Sequence, residues 1–340
     1  MAFFKKVACF TDIHFGLKGN SRIHNDDCED FVKWFIEQAK TEGCETCIFL
    51  GDWHHHRSAT NVSTMNYTVS NMERLGAAFE KVYVIMGNHD LYYREKREIN
   101  SMEYIRNIPS IHIVNEWLVE DDVAILPWIV EDEYKKIQKM TQKYVFGHFE
   151  LPYFKMNAMV EMPDVGGIQT DHFAGCGKVF SGHFHKRQLM KNVTYMGNAF
   201  PHNYADAWDD DRGMMVLEYG GEPKYINWPD MPRYITIKIS ALLEDPGKYL
   251  KPKMYVRVTL DIKISYEEAN FVRETFIDKY SLRELQLIPE QVDNAQQPTV
   301  KVQKFDSVDQ IVIKQLQGVD SETYDKNILT AIYNDLDVAN

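Results

Sequence analysis

The sequence predicts an α/β fold in which two mixed β-sheets pack together between flanking helices, followed by a small α+β module and a helical tail. Three observations predict it. Residues 7–86 alternate short apolar runs with amphipathic stretches. After Pro109 the apolar runs crowd together with little room for helix between them. Beyond Met231-Pro232 the pattern changes to regular alternation of apolar and polar residues.

Val7-Ala8-Cys9-Phe10 reads as a buried strand. Asp26 and Asp27, whose charge suits the positive end of a helix, open a stretch with Phe31, Phe35 and Ala39 on one face. Ile48-Phe49-Leu50 is the next strand, followed by a polar helix with Met65, Val69, Met72 and Phe79 along one side. Val82 to Met86 forms a third strand, completing the β-α-β-α-β rhythm of a sheet covered by helices. Runs at 111–114, 123–126, 145–146, 179–180, 193–196 and 214–217 read as a second sheet packed on the first.

In the module, Ile235, Ile237 and Ile239, then Val256, Val258, Leu260 and Ile262, alternate as half-buried strands do. A helix carrying Phe271, Val272 and Phe276 leads to a strand at Leu285-Gln286-Leu287-Ile288. The polar segment 291–298 reads as a linker. Ile311, Val312 and Leu316, then Ile328, Leu329, Ile332 and Leu336, place two short amphipathic helices after it. The expected domains are therefore 1–230, 231–290 and 291–340.

Composition narrows the function classes. The chain has 340 residues, with 50 acidic against 38 basic and a net charge of −12. A hydrophobic content of 44% excludes disorder over the whole length. No run of 18 apolar residues is present, so a membrane span is not expected, and the amino terminus lacks the pattern of an export signal. The acidity argues against tight autonomous coating of nucleic acid. Five scattered cysteines, Cys9, Cys28, Cys44, Cys47 and Cys176, read as reduced thiols in a cytosolic setting. Cys44 and Cys47 lack the second pair that a zinc knuckle needs, and read as packing residues at a helix-to-strand junction.

Five clusters carry the chemistry: Asp12-Ile13-His14, Gly51-Asp52, Gly87-Asn88-His89-Asp90, Gly147-His148 and Gly182-His183-Phe184-His185. Each lies at or just past an expected strand end, where open α/β sheets bind ligands. Carboxylate, amide and imidazole side chains together suit two transition ions such as Mn²⁺, Fe²⁺ or Zn²⁺. Ions about 3.5 Å apart need a bridging carboxylate, and Asp52 is the natural candidate. Such a pair would clamp a phosphoryl group and activate water at neutral pH.

In these motifs the sequence resembles the calcineurin-like metallophosphoesterase superfamily, whose pattern is D-x-H, G-D, G-N-H-D/E, G-H and G-H-x-H. The match runs over roughly residues 7–217. Within it, Leu126-Pro127-Trp128, Gly147 to Leu151, and Tyr195-Met196-Gly197-Asn198 followed by Asp211-Arg212-Gly213 are similar to SbcD-type nuclease subunits of double-strand-break repair complexes, particularly those of tailed phages. Asn198 and Phe200 depart from that pattern, where relatives often carry Ser or Thr and Trp.

The resemblance implies a four-layer sandwich with a DNA-binding cap at 231–290. It implies one ion held by Asp12, His14, Asp52 and His185, and another by Asp52, Asn88, His148 and His183, with Mn²⁺ as the expected metal. His89 becomes the residue that protonates the leaving oxygen, Asp90 orients its ring, and His55 contacts the scissile phosphate. His24, His112, His172 and His202 match no motif and read as structural or surface residues. DNA, an SbcC-type coiled-coil ATPase docked on the tail helices, and a second copy of the chain are the implied partners. The expected setting is the cytoplasm of a phage-infected host. The alternative is a phosphodiesterase or protein phosphatase with the same dinuclear core.

Overall fold

The computed structural model describes residues 2–156 and 160–289. Its strands are β1 (Lys6–Phe10), β2 (Thr46–Phe49), β3 (Lys81–Ile85), β4 (Ile111–Val114), β5 (Leu118–Glu120), β6 (Val123–Leu126), β7 (Tyr144–His148), β8 (Lys178–Gly182), β9 (Gln188–Met190), β10 (Val193–Tyr195), β11 (Gly213–Glu218), β12 (Lys224–Asn227), β13 (Arg233–Lys238), β14 (Met254–Leu260) and β15 (Glu284–Pro289). One six-stranded sheet runs β12-β11-β1-β2-β3-β4, and a second runs β5-β6-β7-β8-β10-β9. In the first, β1 to β4 are parallel, β11 pairs antiparallel with β1, and β12 pairs antiparallel with β11. In the second, β6, β7, β8 and β10 are parallel with antiparallel edges.

Strand alternation decides the layers, because successive side chains point to opposite faces. Val7 and Cys9 of β1 join Ile125, Phe146 and Phe180 of the other sheet in the core between the sheets. Ala8 and Phe10 turn the other way and meet Phe31, Phe35 and Ala39 of the helix Arg22–Thr41. A third core, with Leu126, Val145, Phe173 and Val193, covers the outer face of the second sheet. The two mixed sheets flanked by helices are therefore the layers expected from the sequence.

The assignment of strands to sheets differs from the linear reading. β4 and β11 belong to the first sheet, since β11 returns beside β1 with Cys9 opposite Met215. The short edges β5, β9 and β12 carry no buried run, so no apolar signal marks them. The first long helix starts at Arg22, with the Ser21 side chain accepting the His24 N–H. Asp26 and Asp27 lie inside it, not at its start: Asp26 accepts the Tyr67 hydroxyl, and Asp27 meets Arg283. The helix Val62–Ala78 buries Thr64, Thr68, Asn71, Met72 and Leu75, while Met65 and Val69 are only half-buried. That polar buried face has a use at the site.

Residues 233–289 form a three-stranded parallel sheet, β13-β14-β15, with its own core around Ile235, Val256 and Leu285. Ile239 starts the short helix Ile239–Glu244, and Ile262 lies past the end of β14, so neither extends a strand. The helix Tyr266–Tyr280 begins with a reciprocal Ser265–Glu268 capping box, and its Phe271 is exposed. This module sits against the helix Arg22–Thr41 through the Arg283 guanidinium, which grips both oxygens of Asp27. Trp208 adds backbone and indole bonds to Tyr234 O and Thr236 O, at 3.0 and 3.1 Å. Lys18 lies over the Tyr255 ring, which stacks on Tyr234. The linker and tail helices expected at 291–340 lie outside the described residues.

Candidate metal centre

The parallel strands of both sheets end at one edge, and the five motifs meet there. Asp12 and His14 follow β1, Asp52 follows β2, Asn88 follows β3, His148 ends β7, and His183 and His185 follow β8. The turns are forced into the left-handed region at Asp12 (φ 50°), His14 (φ 52°), Asp52 (φ 62°) and His183 (φ 91°). Each such non-glycine residue costs about 1–3 kcal/mol, which the surrounding structure must supply. Glycine is required where neighbours come too close. A Cβ on Gly51, itself at φ +100°, would stand 2.5 Å from His148 Nδ1, and one on Gly87 would stand 2.3 Å from Asp52 Oδ1.

Asp52 is the centre of the arrangement. Its Oδ1 accepts the His89 N–H at 2.8 Å. Its Oδ2 lies 3.7 Å from His14 Nε2 on one side and 3.4 Å from His148 Nε2 on the other. His14 Nε2 is also 3.9 Å from Asp12 Oδ1, and His185 Nε2 is 3.9 Å from the same oxygen. Asn88 Oδ1 stands 3.1 Å from His148 Nε2 and 2.9 Å from His183 Nδ1. Asp12, His14 and Asp52 thus offer one set of converging ligand atoms, and Asp52, His148 and His183 another.

Surrounding bonds select which atom each side chain presents. His148 Nδ1 donates to Leu50 O at 2.7 Å, which leaves Nε2 for the centre. His183 Nε2 faces Glu150 at 3.3 Å, which leaves Nδ1 inward. Glu150 is held in turn by Arg94 at 2.6 Å, and the Arg94 guanidinium lies over the Trp128 ring. Asp12 is held by the Thr11 hydroxyl and the His183 N–H, at 2.7 and 3.0 Å. Burial opposes charge on both Asp52 and His148, yet each stabilises the other's charged form. Asp52 is held well below the usual carboxylate range, and His148 is raised to about 9. Burial and the neighbouring imidazoles keep His14 well below its ordinary value.

The donor set fits divalent cations. Among the described residues both ring nitrogens of His14 are buried without a hydrogen-bond partner, at roughly 1–3 kcal/mol each, and a bound ion would satisfy one of them. Mixed carboxylate, amide and imidazole ligands suit first-row transition ions.

One expectation needs correction, and two groups of histidines gain a definite place. Asp90 does not orient the His89 ring. Its carboxylate accepts backbone N–H groups of Asp52, Trp53, His54 and Gly87 at 2.8–3.1 Å, so both oxygens are used in folding the loop. The His89 ring is set by Nδ1 donating to His55 O at 2.7 Å and by stacking on the His55 ring. His202, read as structural or surface, is buried at the edge of the centre, its ring beside those of His14 and His185. The histidine run after Trp53 also divides. His54 is buried between Ser101 and the Thr68 hydroxyl supplied by the polar face of helix Val62–Ala78. His55 is half-buried against His14 and His89, and His56 is exposed.

Arg94 carries no sequence signal, Glu150 stands only within the Gly147 to Leu151 run, His202 matches no motif, and Asn198 is marked only as a departure from the family pattern. Glu150 sits two residues after His148, a spacing that carries the clue. Asn198 donates its backbone N–H to His185 O at 3.1 Å, and both its side-chain polar atoms are buried without a partner. No pattern in the sequence marks His202.

Two sheets whose strand ends bring carboxylates, an amide and imidazoles around one shared aspartate define a metallophosphoesterase scaffold. The chain belongs to the calcineurin-like phosphoesterase family, whose model matches residues 5–187. It is 26% identical over 222 residues to exonuclease subunit 1 of Enterobacteria phage T4, a match covering 63% of this chain and 64% of that protein. Less than two thirds of that relative's length is therefore spanned. Solved structures with some likeness include a dimetal phosphatase from Danio rerio (10% identity, TM-score 0.42, 63% of this chain and 92% of that one). Another is the Pseudomonas putida nuclease MPE (16% identity, TM-score 0.31, 63% of this chain and 84% of that one). No helix among the described residues is long and apolar enough to cross a membrane.

Proposed function

We propose that the chain is a metal-dependent DNA exonuclease and endonuclease subunit that works on DNA with a coiled-coil ATPase of the SbcC type in recombination and break repair. The observation that carries the metal reading is the position of Asp52 Oδ2, between His14 Nε2 at 3.7 Å and His148 Nε2 at 3.4 Å. A carboxylate shared by two cations needs such a position. One cation would be held by Asp12, His14, Asp52 and His185, and the other by Asp52, Asn88, His148 and His183. The family's dinuclear centre supports the pair, and Mn²⁺ is the metal we assign for assay. When bound, the two cations would neutralise phosphate charge and lower the pKa of a bound water.

The chain's own residues do the rest. His89 keeps its Nδ1 proton on His55 O, so Nε2 is the nitrogen left free, and in the imidazolium form it hands its proton to the leaving oxygen and leaves the neutral Nδ1–H ring. His55 stacks against His89, which supports its assignment as the phosphate contact. Glu150 and Arg94 steady His183. DNA as substrate is supported by the match to a phage protein named as an exonuclease subunit. The word subunit in that name also supports a partner, for which we assign the ATPase and a homodimer. In this reading the 231–290 module is a cap over the DNA, residues 291–340 dock the partner, and the setting is the cytoplasm of an infected host.

The purified full chain with Mn²⁺ should degrade linear DNA, and the ATPase should stimulate it. Turnover of bis-p-nitrophenyl phosphate or a phosphopeptide with no cleavage of DNA, alone or with the ATPase, points instead to the small-molecule or phosphoprotein reading.

A further inference from the structure

We propose that His202 is a third imidazole ligand, completing with His14 and His185 a nitrogen-rich cation position at the edge of the dinuclear centre. His202 is 1% exposed, and both its ring nitrogens are buried without a hydrogen-bond partner. No other described residue uses them. The ring is placed from outside: its backbone N–H donates to Asp206 Oδ2 at 2.9 Å, and Arg212 binds Asp206 Oδ1 at 3.2 Å. One flank of the ring meets Phe200 and His24, whose own Nε2 is occupied by His14 O at 3.0 Å. Its other neighbours are His14 and His185.

The three rings form a nearly regular triangle. Their centroids are 5.4 Å apart for His14–His202, 5.2 Å for His185–His202 and 5.3 Å for His14–His185. Three imidazoles meeting one ion at ~2.0–2.1 Å with tetrahedral angles hold their ring centres about 5 Å apart. One nitrogen from each also lies within 4.8 Å of the others. A core histidine in this place would leave two polar atoms unsatisfied, at roughly 1–3 kcal/mol each. A cation satisfies one of them directly.

The consequence is metal selectivity. With His202 the first position takes three imidazoles beside Asp12 and Asp52, whereas the second has two imidazoles, an amide and Asp52. Imidazole-rich sets favour Zn²⁺, Fe²⁺ or Co²⁺ over Mn²⁺. The inference therefore predicts two unlike positions, and it rests on reading Asp12, His14, Asp52 and His185 as one cation position.

The test is metal binding by the full chain, stripped of metal, in wild-type and His202→Leu forms. Co²⁺ is followed by its visible absorption and Zn²⁺ by calorimetry, with Mn²⁺ as the reference. His202→Leu should weaken Zn²⁺ at one position by about tenfold or more, change the Co²⁺ spectrum, and leave Mn²⁺ affinity much less affected. A folded His202→Leu chain with unchanged Zn²⁺ affinity and Co²⁺ spectrum overturns the proposal. So does a wild-type chain that takes up neither ion. Should the variant not fold, zinc X-ray absorption of the wild type decides: imidazole scattering from five rings over two ions supports the site, and from four overturns it. None of these readouts needs DNA, so a chain with a His202-dependent spectrum that cuts no DNA loses the nuclease reading and keeps the site.

Discussion

The Asp90 carboxylate accepts the backbone N–H of Asp52 at 2.8 Å, placing one buried acid directly behind the acid shared by both ligand sets. Three further N–H groups, from Trp53, His54 and Gly87, converge on the same carboxylate. An amide cannot accept through both its atoms, so Asp90→Asn turns an NH₂ against these donors. The expected loss is about 3 kcal/mol of stability, with weakened binding at both cation positions. Denaturant unfolding and metal calorimetry read the two effects. If Asp90→Asn binds metal normally and loses only turnover, its role is in the proton transfer after all.

Asp52 and His89 should separate cleanly. Asp52→Ala removes the ligand common to both sets, so elemental analysis should find neither ion retained. His89→Gln leaves every ligand in place, and metal content should match the wild type while turnover falls by about 10²- to 10⁴-fold. Intact DNA cleavage by His89→Gln would remove it from the proton-transfer role.

The Asp27–Arg283 pair tests how the 231–289 module is held. Asp27 is 2% exposed, and Arg283 reaches it from across the module boundary. Truncating one partner of a buried ion pair costs about 3–5 kcal/mol, because the other charge is stranded. Arg283→Ala should therefore loosen the module and expose it to protease. Asp27→Leu combined with Arg283→Met should recover most of the loss. Equal protease resistance of Arg283→Ala and wild type would show that Trp208 and Lys18 suffice.

Acid should unfold the protein early. His24 and His54 are buried and neutral, and burial lowers each from 6.5 to about 3. The unfolded chain therefore binds more protons than the folded one between those values. Stability from these two groups is complete above pH 6.5 and falls as pH drops toward 3, by about 1.4 kcal/mol per pH unit for each. Denaturant midpoints across pH 7 to 4 measure the slope, and His54→Gln should reduce it. A flat profile in the wild type contradicts the assignment.

Much of the site was legible because its geometry is local. Asp12, Asp52, Asn88, His148 and His183 each follow a buried strand, and parallel strands bring such residues to one edge whatever lies between them. The division of strands between sheets was not legible in the same way. β4 and β11 are as apolar as β7 and β8, and only pairing decides which sheet each joins. The role that the resemblance implies for Asp90, orienting the His89 ring, is not the one that packing gives it. The turn instead sends the carboxylate under the Asp52 loop and leaves the His89 ring to the His55 carbonyl.

The sequence by itself determined the layered α/β class, the family and which motif residues stand at the strand ends, since strand periodicity and short motifs act over a few neighbouring positions. Only the tertiary structure decided what the remaining polar groups do. His202 comes from a loop far along the chain from His14, and its place beside that ring follows from the packing of Phe200 and the Asp206 turn. Glu150 gains a role only once β7 and β8 lie side by side. Side-chain identity sets what a residue can bind, and long-range packing sets which atoms it is left facing.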